Sequence, residues 1–458
     1  MGRLIIASNR TATPGVPRAG GLAVALKDAL DERGGGVWFG WSGEILDRET
    51  RGVRLFAEGN VDFALADLTQ EEHEGYYLGY ANDALWPVFH YRVDLARFDE
   101  GAFEVYESVN RRFGRLLSQL LRPEDVVWVH DYHFLLLGRE LRHNGWRGPI
   151  GFFLHVPFPA PEVFTALPHH YRLAHGLAEF DLLGFQTKRD TANFRRYMVE
   201  HHGAAVLEDG RIRVFGRTIR AEAFPIGTDA EDIAALAMGV QGVASAQRLG
   251  RIIENRALVV GVDRLDYSKG LLQKVQAFGR MLDDNEEMRE RVTFLQIAPP
   301  SRETVETYQD LRDQLDRLVG RINSDYSDID TTPIRYLARG YPREVLAGIY
   351  RLARAGLVTP LYDGMNLVAK EYVAAQDPED PGVLVLSEFA GAAEQLSTAL
   401  LVNPHDTAGV AANIRRALEM PLDERKERWQ VLHEAVTRED IAWWRRRFLD
   451  ALDEARPA

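Results

Sequence analysis

Short apolar runs alternate with helix-period stretches along nearly the whole chain, and that alternation constrains the fold more than any other feature. Leu4–Ala7 leads into Leu22–Leu30, and Val126–Val129 precedes Leu135–His143. Ile150–Leu154, Leu182–Phe185, Val259–Val262, Thr293–Ile297, Leu357–Val358 and Val383–Leu386 follow, interleaved with helical patterns such as Val305–Leu318 and Arg343–Leu352. Apolar runs with few polar interruptions are strands covered on both faces, so the expected class is α/β with parallel sheets. So many strands point to two sheets rather than one. The 458 residues are therefore expected to form two doubly wound, Rossmann-like domains.

The boundary is expected near Phe224-Pro225-Ile226-Gly227-Thr228-Asp229, with residues 1–228 before it and 229–440 after it. Ala230–Glu254 reads as a helical stretch entering the second domain. Residues 441–458 form a C-terminal segment whose Trp443, Trp444, Phe448 and Leu449 stand beside Arg445, Arg446 and Arg447. This is an amphipathic helix, either docked back on the first domain or presenting a basic face to a partner. Ligands of open parallel sheets bind beyond the carboxyl ends of the strands, which is where candidate chemistry is sought.

Composition removes several classes. The formal net charge of −13 argues against a nucleic-acid partner, since phosphate backbones are met by basic surfaces. The chain has no cysteine, which excludes disulfides, thiolate catalysis and cysteine-held metals. No apolar run approaches the roughly 20 residues of a membrane helix. The N-terminus enters a strand pattern at once, without a signal-peptide pattern. A cytoplasmic protein with no membrane partner is the expectation. The sequence leaves a homo-oligomer open.

The segment Thr359-Pro360-Leu361-Tyr362-Asp363-Gly364-Met365-Asn366 links an apolar strand to a helical stretch from Leu367 to Ala375. A strand, a glycine turn freed by Gly364 and a helix start with Asn366 as its cap make an anion site, because free amides and the helix dipole face one point. Asp363 and Glu371 flank it, as carboxylates for sugar hydroxyls would. Asp263-Arg264-Leu265-Asp266-Tyr267-Ser268-Lys269-Gly270 follows another strand. Arg264 and Lys269, five apart across a turn, can both face one diphosphate; a solvated surface pair is the plain alternative. Ser301-Arg302, after Ile297-Ala298-Pro299-Pro300, adds a further cation at a strand end.

In the first half, Ser8-Asn9-Arg10 follows the first strand, and Gly20-Gly21 opens a helix. Both suit an anion, although paired glycines before a helix are ordinary turn chemistry. Trp38-Phe39-Gly40-Trp41-Ser42-Gly43, Tyr76-Tyr77 and Trp86-Pro87 could line a sugar wall or fill a core. His130-Asp131-Tyr132-His133 and His155 stand at strand ends. By residue type they offer polar handles for sugar hydroxyls, structural hydrogen bonds or, without a supporting second cluster, metal ligands.

The segments SNR, AGGLAVAL, WFGWSGE, LWPVFHYR, VWVHDYH, GFFLHVPFP, DLLGFQT, RLDYSKG, QIAPPSR and DGMNLVAKEYVAAQDP occur in order from about residue 3 to about residue 450. Together they closely resemble the trehalose-6-phosphate synthases. The resemblance implies a glycosyltransferase-B architecture, two Rossmann-like domains facing a cleft. It implies transfer of glucose from UDP-glucose to glucose 6-phosphate with retention, with no metal and no cofactor beyond the nucleotide-sugar co-substrate. It places Arg264 and Lys269 on the donor diphosphate. Gly21, Ile297, Gly364, Met365, Asn366, Leu367 and Val368 would complete the donor site, with Glu371 on the ribose. Asp363 and His155 would orient the transferred glucose. Arg10, Tyr77, Trp86, Asp131 and Arg302 would hold the acceptor, with Arg10 and Arg302 on its phosphate.

Two departures from the family pattern stand near the donor site: Tyr362, where bacterial members commonly carry Arg, and a short loop between Arg10 and Gly20. They leave GDP- or ADP-glucose as alternative donors. A glucosylglycerol-phosphate synthase would share the donor motifs and differ at the acceptor. A glycoside hydrolase using Asp131 and Asp363 would have no use for a diphosphate clamp. A non-catalytic sugar-phosphate sensor would bind without turnover.

Overall fold

The computed structural model describes residues 2–11, 21–50, 52–254, 256–302, 305–329 and 331–455. Residues 12–20, including Gly20, lie outside them. The chain forms two units. The first comprises residues 1–225 and 442–458, and the second residues 226–441.

Among the described residues, the sheet of the first unit has ten strands: β1 (Leu4–Arg10), β2 (Gly36–Leu46), β3 (Arg54–Glu58), β4 (Val61–Thr69), β5 (Val126–His130), β6 (Ile150–Phe153), β7 (Leu182–Phe185), β8 (Ala205–Val206), β9 (Ile212–Val214) and β10 (Arg217–Ala223). Their spatial order is β3-β4-β2-β1-β5-β6-β7-β10-β9-β8. The seven strands from β4 to β10 in that order pair in parallel. β3, β8 and β9 add antiparallel edges that the alternation did not announce. In β5 and β7 every residue is buried, as expected of strands covered on both faces. The aromatic segment from Trp38 to Ser42 is part of β2, and Trp38 and Phe39 belong to the core.

Residues Ile441–Glu454 form one helix. Its Trp444, Phe448 and Leu452 are fully buried, and Phe448 stacks on Trp128 at 4.7 Å with ring planes 14° apart. Gly151 and Gly184 have no Cβ where Phe448 packs, which lets that ring lie against β6 and β7. Each aromatic buried this way contributes roughly 1.5–3 kcal/mol relative to an exposed one. Arg445 is buried and pairs with Asp28 and Glu32, so this helix is a docked one with an internal cation.

The second unit holds β11 (Ala257–Val262), β12 (Val292–Ile297), β13 (Ile334–Leu337), β14 (Ala355–Val358), β15 (Val383–Ser387) and β16 (Leu400–Val402). All pair in parallel, in the order β13-β12-β11-β14-β15-β16. The helical stretch expected over Ala230–Glu254 is two helices, Ala230–Met238 and Val240–Ile252, broken at the extended Gly239.

Candidate active site

β11 and β14 are neighbours in the second sheet, so the loops leaving their carboxyl ends meet. After β11, Asp266 accepts from the Ser268 amide at 2.9 Å and fixes a tight turn over Tyr267–Lys269. Gly270 follows with φ +65°, and a Cβ there would stand 2.5 Å from the Thr359 carbonyl oxygen. The turn can press against the post-β14 loop only because that position is glycine. The Leu361 amide donates to the Ser268 carbonyl at 2.7 Å and ties the two loops together.

Across this junction the Lys269 ammonium pairs with the Asp363 carboxylate, each side chain 12% exposed. Asn366 Nδ2 donates to the same carboxylate at 3.0 Å. Asn366, expected to cap the following helix with its side chain, makes no such bond. It takes the left-handed conformation, with φ 70°, whereas Gly364, expected to free the turn, has no positive φ. Asn is one of the few residues to tolerate that region, and its side chain is freed to hold Asp363 instead. The helix Leu367–Ala375 starts immediately after it. As at any helix start, the amides of Leu367 and Val368 have no carbonyl inside the helix to donate to. Gly364 and Met365 are buried in the same turn, which is pinned to the loop after β15: Gly391 donates to Asp363 O at 3.1 Å and Ala392 to Met365 O at 2.9 Å.

Glu371 lies in the second turn of that helix, and burial pushes its carboxyl up, with Arg343 opposing. Tyr362 stacks on Phe389 at 6.0 Å. Arg264 is exposed. Ile297 is buried at the end of β12, with its carbonyl accepting from the Asp263 amide at 3.0 Å. Arg302, with φ +51°, donates to Tyr308 Oη at 2.5 Å and lies 3.8 Å from Asp266. It therefore shares Asp266 with the Lys269 turn.

Beneath this turn is a group that the sequence reasoning missed. Lys274 and Asp263 form an ion pair, with side chains 0% and 1% exposed, and Gln296 Nε2 donates to Asp263 at 3.2 Å. The signal was present: Lys274 falls on the apolar face defined by Leu271, Val275 and Phe278. Lys370 is similar. It is buried, its Nζ donates to Ile226 O at 2.7 Å, and burial pushes its ammonium down to about 7.

In the first unit the carboxyl ends of β1, β5 and β6 are adjacent. Arg10 leaves β1 exposed, its guanidinium 5.6 Å from the Trp41 ring. Trp41 meets Tyr77 at 5.5 Å, and Tyr77 lies nearly parallel to His133 at 5.9 Å. His133 packs on Tyr132 at 4.0 Å, and Tyr132 on Trp86 at 5.7 Å. Arg10, Tyr77 and Trp86 are thereby joined through one chain of rings. Tyr77 sits on a helix over His73–Leu85 wound with i→i+5 hydrogen bonds, a rare form often found at functional sites. Tyr76 on the same helix donates to Asn9 Oδ1 at 2.8 Å.

Asp131 has φ +73°, an uncommon conformation for a residue with a side chain. Its Oδ1 accepts from the His155 amide at 3.2 Å, and its own amide donates to Phe153 O at 2.8 Å. His155 Nε2 lies 3.1 Å from His130 Nδ1. Burial holds both imidazoles below the usual range, that of His155 at about 3. Gly21 begins the Gly21–Glu32 helix. Among the described residues no group of three or more His, Asp or Glu is arranged to hold a metal, and no helix is long and apolar enough to cross a membrane.

The profile of glycosyltransferase family 20 matches residues 6–454. The chain belongs to this family. Its two parallel-sheet units are the glycosyltransferase-B architecture. A trehalose-6-phosphate synthase of Sinorhizobium fredii (strain NBRC 101917 / NGR234) is 46% identical, over 99% of this chain and 98% of the relative. The crystal structure of a UDP-forming α,α-trehalose-phosphate synthase from Burkholderia xenovorans in complex with glucose-6-phosphate superposes with TM-score 0.95 at 47% identity, covering 99% of this chain and all of that one. An E. coli structure bound with UDP-2-fluoro glucose gives TM-score 0.94 at 43% identity, covering 98% of each chain.

Proposed function

We propose that this family 20 enzyme is an α,α-trehalose-phosphate synthase that transfers glucose from UDP-glucose to glucose 6-phosphate, with retention at the donor carbon. The observation that carries the reading is the meeting of Lys269, Asp363 and Asn366 at the start of the Leu367–Ala375 helix. A cation, a carboxylate and outward amides at one point suit a glycosyl diphosphate.

In this reading Arg264 and Lys269 hold the diphosphate with the amides from Gly364 to Val368, and Gly21 adds its own. Glu371 takes the ribose hydroxyls. Donor binding splits the Lys269–Asp363 pair: the ammonium turns to phosphate oxygen and the carboxylate is left to accept from a glucose hydroxyl. His155 also contacts that glucose. Arg10, Tyr77, Trp86 and Asp131 grip the acceptor, and Arg302 is assigned to its phosphate on the resemblance alone. The bond from the glucose carbon to phosphate breaks and a bond to the acceptor oxygen forms on the same face. The acceptor proton passes to the departing phosphate. Fixed cations and amides stabilise the charge that develops there, which is where the rate arises. Both substrates are anionic metabolites that membranes exclude, which supports a cytoplasmic site of action.

The test is turnover with UDP-, GDP- and ADP-glucose against glucose 6-phosphate and against glycerol 3-phosphate, with products identified by mass. Trehalose 6-phosphate formed fastest from UDP-glucose is expected. Transfer to glycerol 3-phosphate in preference to glucose 6-phosphate, or no transfer at all, would sink the reading.

A further inference from the structure

We propose that His130 is a positioning residue that locks His155 in the tautomer protonated at Nδ1, so that His155 offers the sugar a fixed neutral donor and no free basic nitrogen. This deepens, and rests on, the role given above to His155. The two rings come from the end of β5 and from just beyond β6, neighbouring parallel strands. Their centroids are 5.4 Å apart and their planes inclined by 27°. With nitrogens 3.1 Å apart, that is an edge-to-edge hydrogen bond rather than a stack. His130 is 1% exposed, its ring 4.5 Å from that of Trp128.

Burial keeps both rings neutral near pH 7. A hydrogen bond between two neutral imidazoles holds one proton, which leaves two assignments. If His155 donated, His130 would carry its proton on Nε2. That nitrogen is buried and has no hydrogen-bond partner. A stranded buried N–H is the costlier alternative, so the proton of His130 belongs on Nδ1, pointing at His155 Nε2. His155 then carries its own proton on Nδ1. Its lone pair is already engaged, so it cannot take the acceptor proton. The same-face mechanism, in which phosphate takes that proton, needs no base here.

Long-range ¹H–¹⁵N spectra of the full chain read the tautomer directly, and protonation of His155 at Nδ1 is expected. Two variants supply the kinetic readout. His130→Phe keeps a ring but removes the donor, and His130→Asn restores an N–H near the Nδ1 position. The first should lose about tenfold in kcat, with KM for glucose 6-phosphate unchanged, and the second should recover to within about threefold of the parent. His155 protonated at Nε2, or wild-type kcat in His130→Phe while His155→Ala is impaired, overturns the proposal. Wild-type turnover in His155→Ala would instead remove the role of His155, while the spectrum still decides the tautomer.

Discussion

Replacing Lys269 by Met tests the donor site at its centre. The Lys269 and Asp363 side chains are each 12% exposed, so the variant leaves a largely buried carboxylate without its cation, though Asn366 Nδ2 at 3.0 Å remains. Breaking a fully buried pair costs about 3–5 kcal/mol; partial exposure and the retained amide reduce that to roughly 2 kcal/mol of stability. The kinetic loss is larger. Removing one preorganised donor from a transition state lowers kcat by about 10²–10³, or roughly 2.7–4 kcal/mol. Asp363→Asn should also lose about 10² in kcat, because the carboxylate accepts from glucose. Donor binding places the two groups on different parts of the donor, so their losses should be close to additive, and the double variant should fall to ~10⁴ or more below wild type. The assay is steady-state turnover of UDP-glucose at saturating glucose 6-phosphate, with thermal midpoints as the control for folding. Lys269→Met within tenfold of wild-type kcat, or a double variant no slower than Lys269→Met, would refute the reasoning.

The other predictions concern turns, rings and protons. Gly270→Ala must adopt φ +65° with a Cβ 2.5 Å from the Thr359 carbonyl oxygen, so its thermal midpoint and kcat should both fall, with a stability cost of roughly 1–3 kcal/mol; a wild-type melt would contradict the account of this turn. Tyr77→Ala should raise KM for glucose 6-phosphate about tenfold and leave kcat within about threefold, the signature of lost uniform binding; an unchanged KM would remove Tyr77 from the acceptor set. Lys370 titrates near 7 when folded against 10.5 when unfolded. Between those values the unfolded chain binds more protons, so this group contributes stability above the upper value and loses it as pH falls towards the lower. Lys370→Met should therefore show a smaller stability gain than wild type between pH 7 and pH 9, by about 2 kcal/mol; equal gains in the two proteins would argue against a buried titrating lysine.

What could be read in advance follows from where the information resides. β5, β7 and β15 announce themselves because strands buried on both faces are unbroken apolar runs. β2 did not, because its tryptophans, glycines and serine mix core and surface chemistry in one stretch. β8 and β9 are two and three residues long, too short to carry a period. Nothing in residue spacing encodes the i→i+5 winding of His73–Leu85, which local turn chemistry alone does not dictate. Lys269 and Asp363 stand 94 residues apart, and no local signal joins them. Their meeting follows instead from topology: both leave the carboxyl ends of strands, and β11 and β14 are neighbours. Motif reading therefore located the loops but not the pairing inside them. It assigned Lys269 to phosphate and Asp363 to sugar, and in the structure the two side chains pair with each other. An ion pair of this kind holds both side chains at one point. Donor affinity then measures a difference: the free energy of the new bonds to phosphate and hydroxyl, less that of the pair given up. Once the donor is held, the cation and the amides already face the phosphate, so little reorganisation remains when the diphosphate departs.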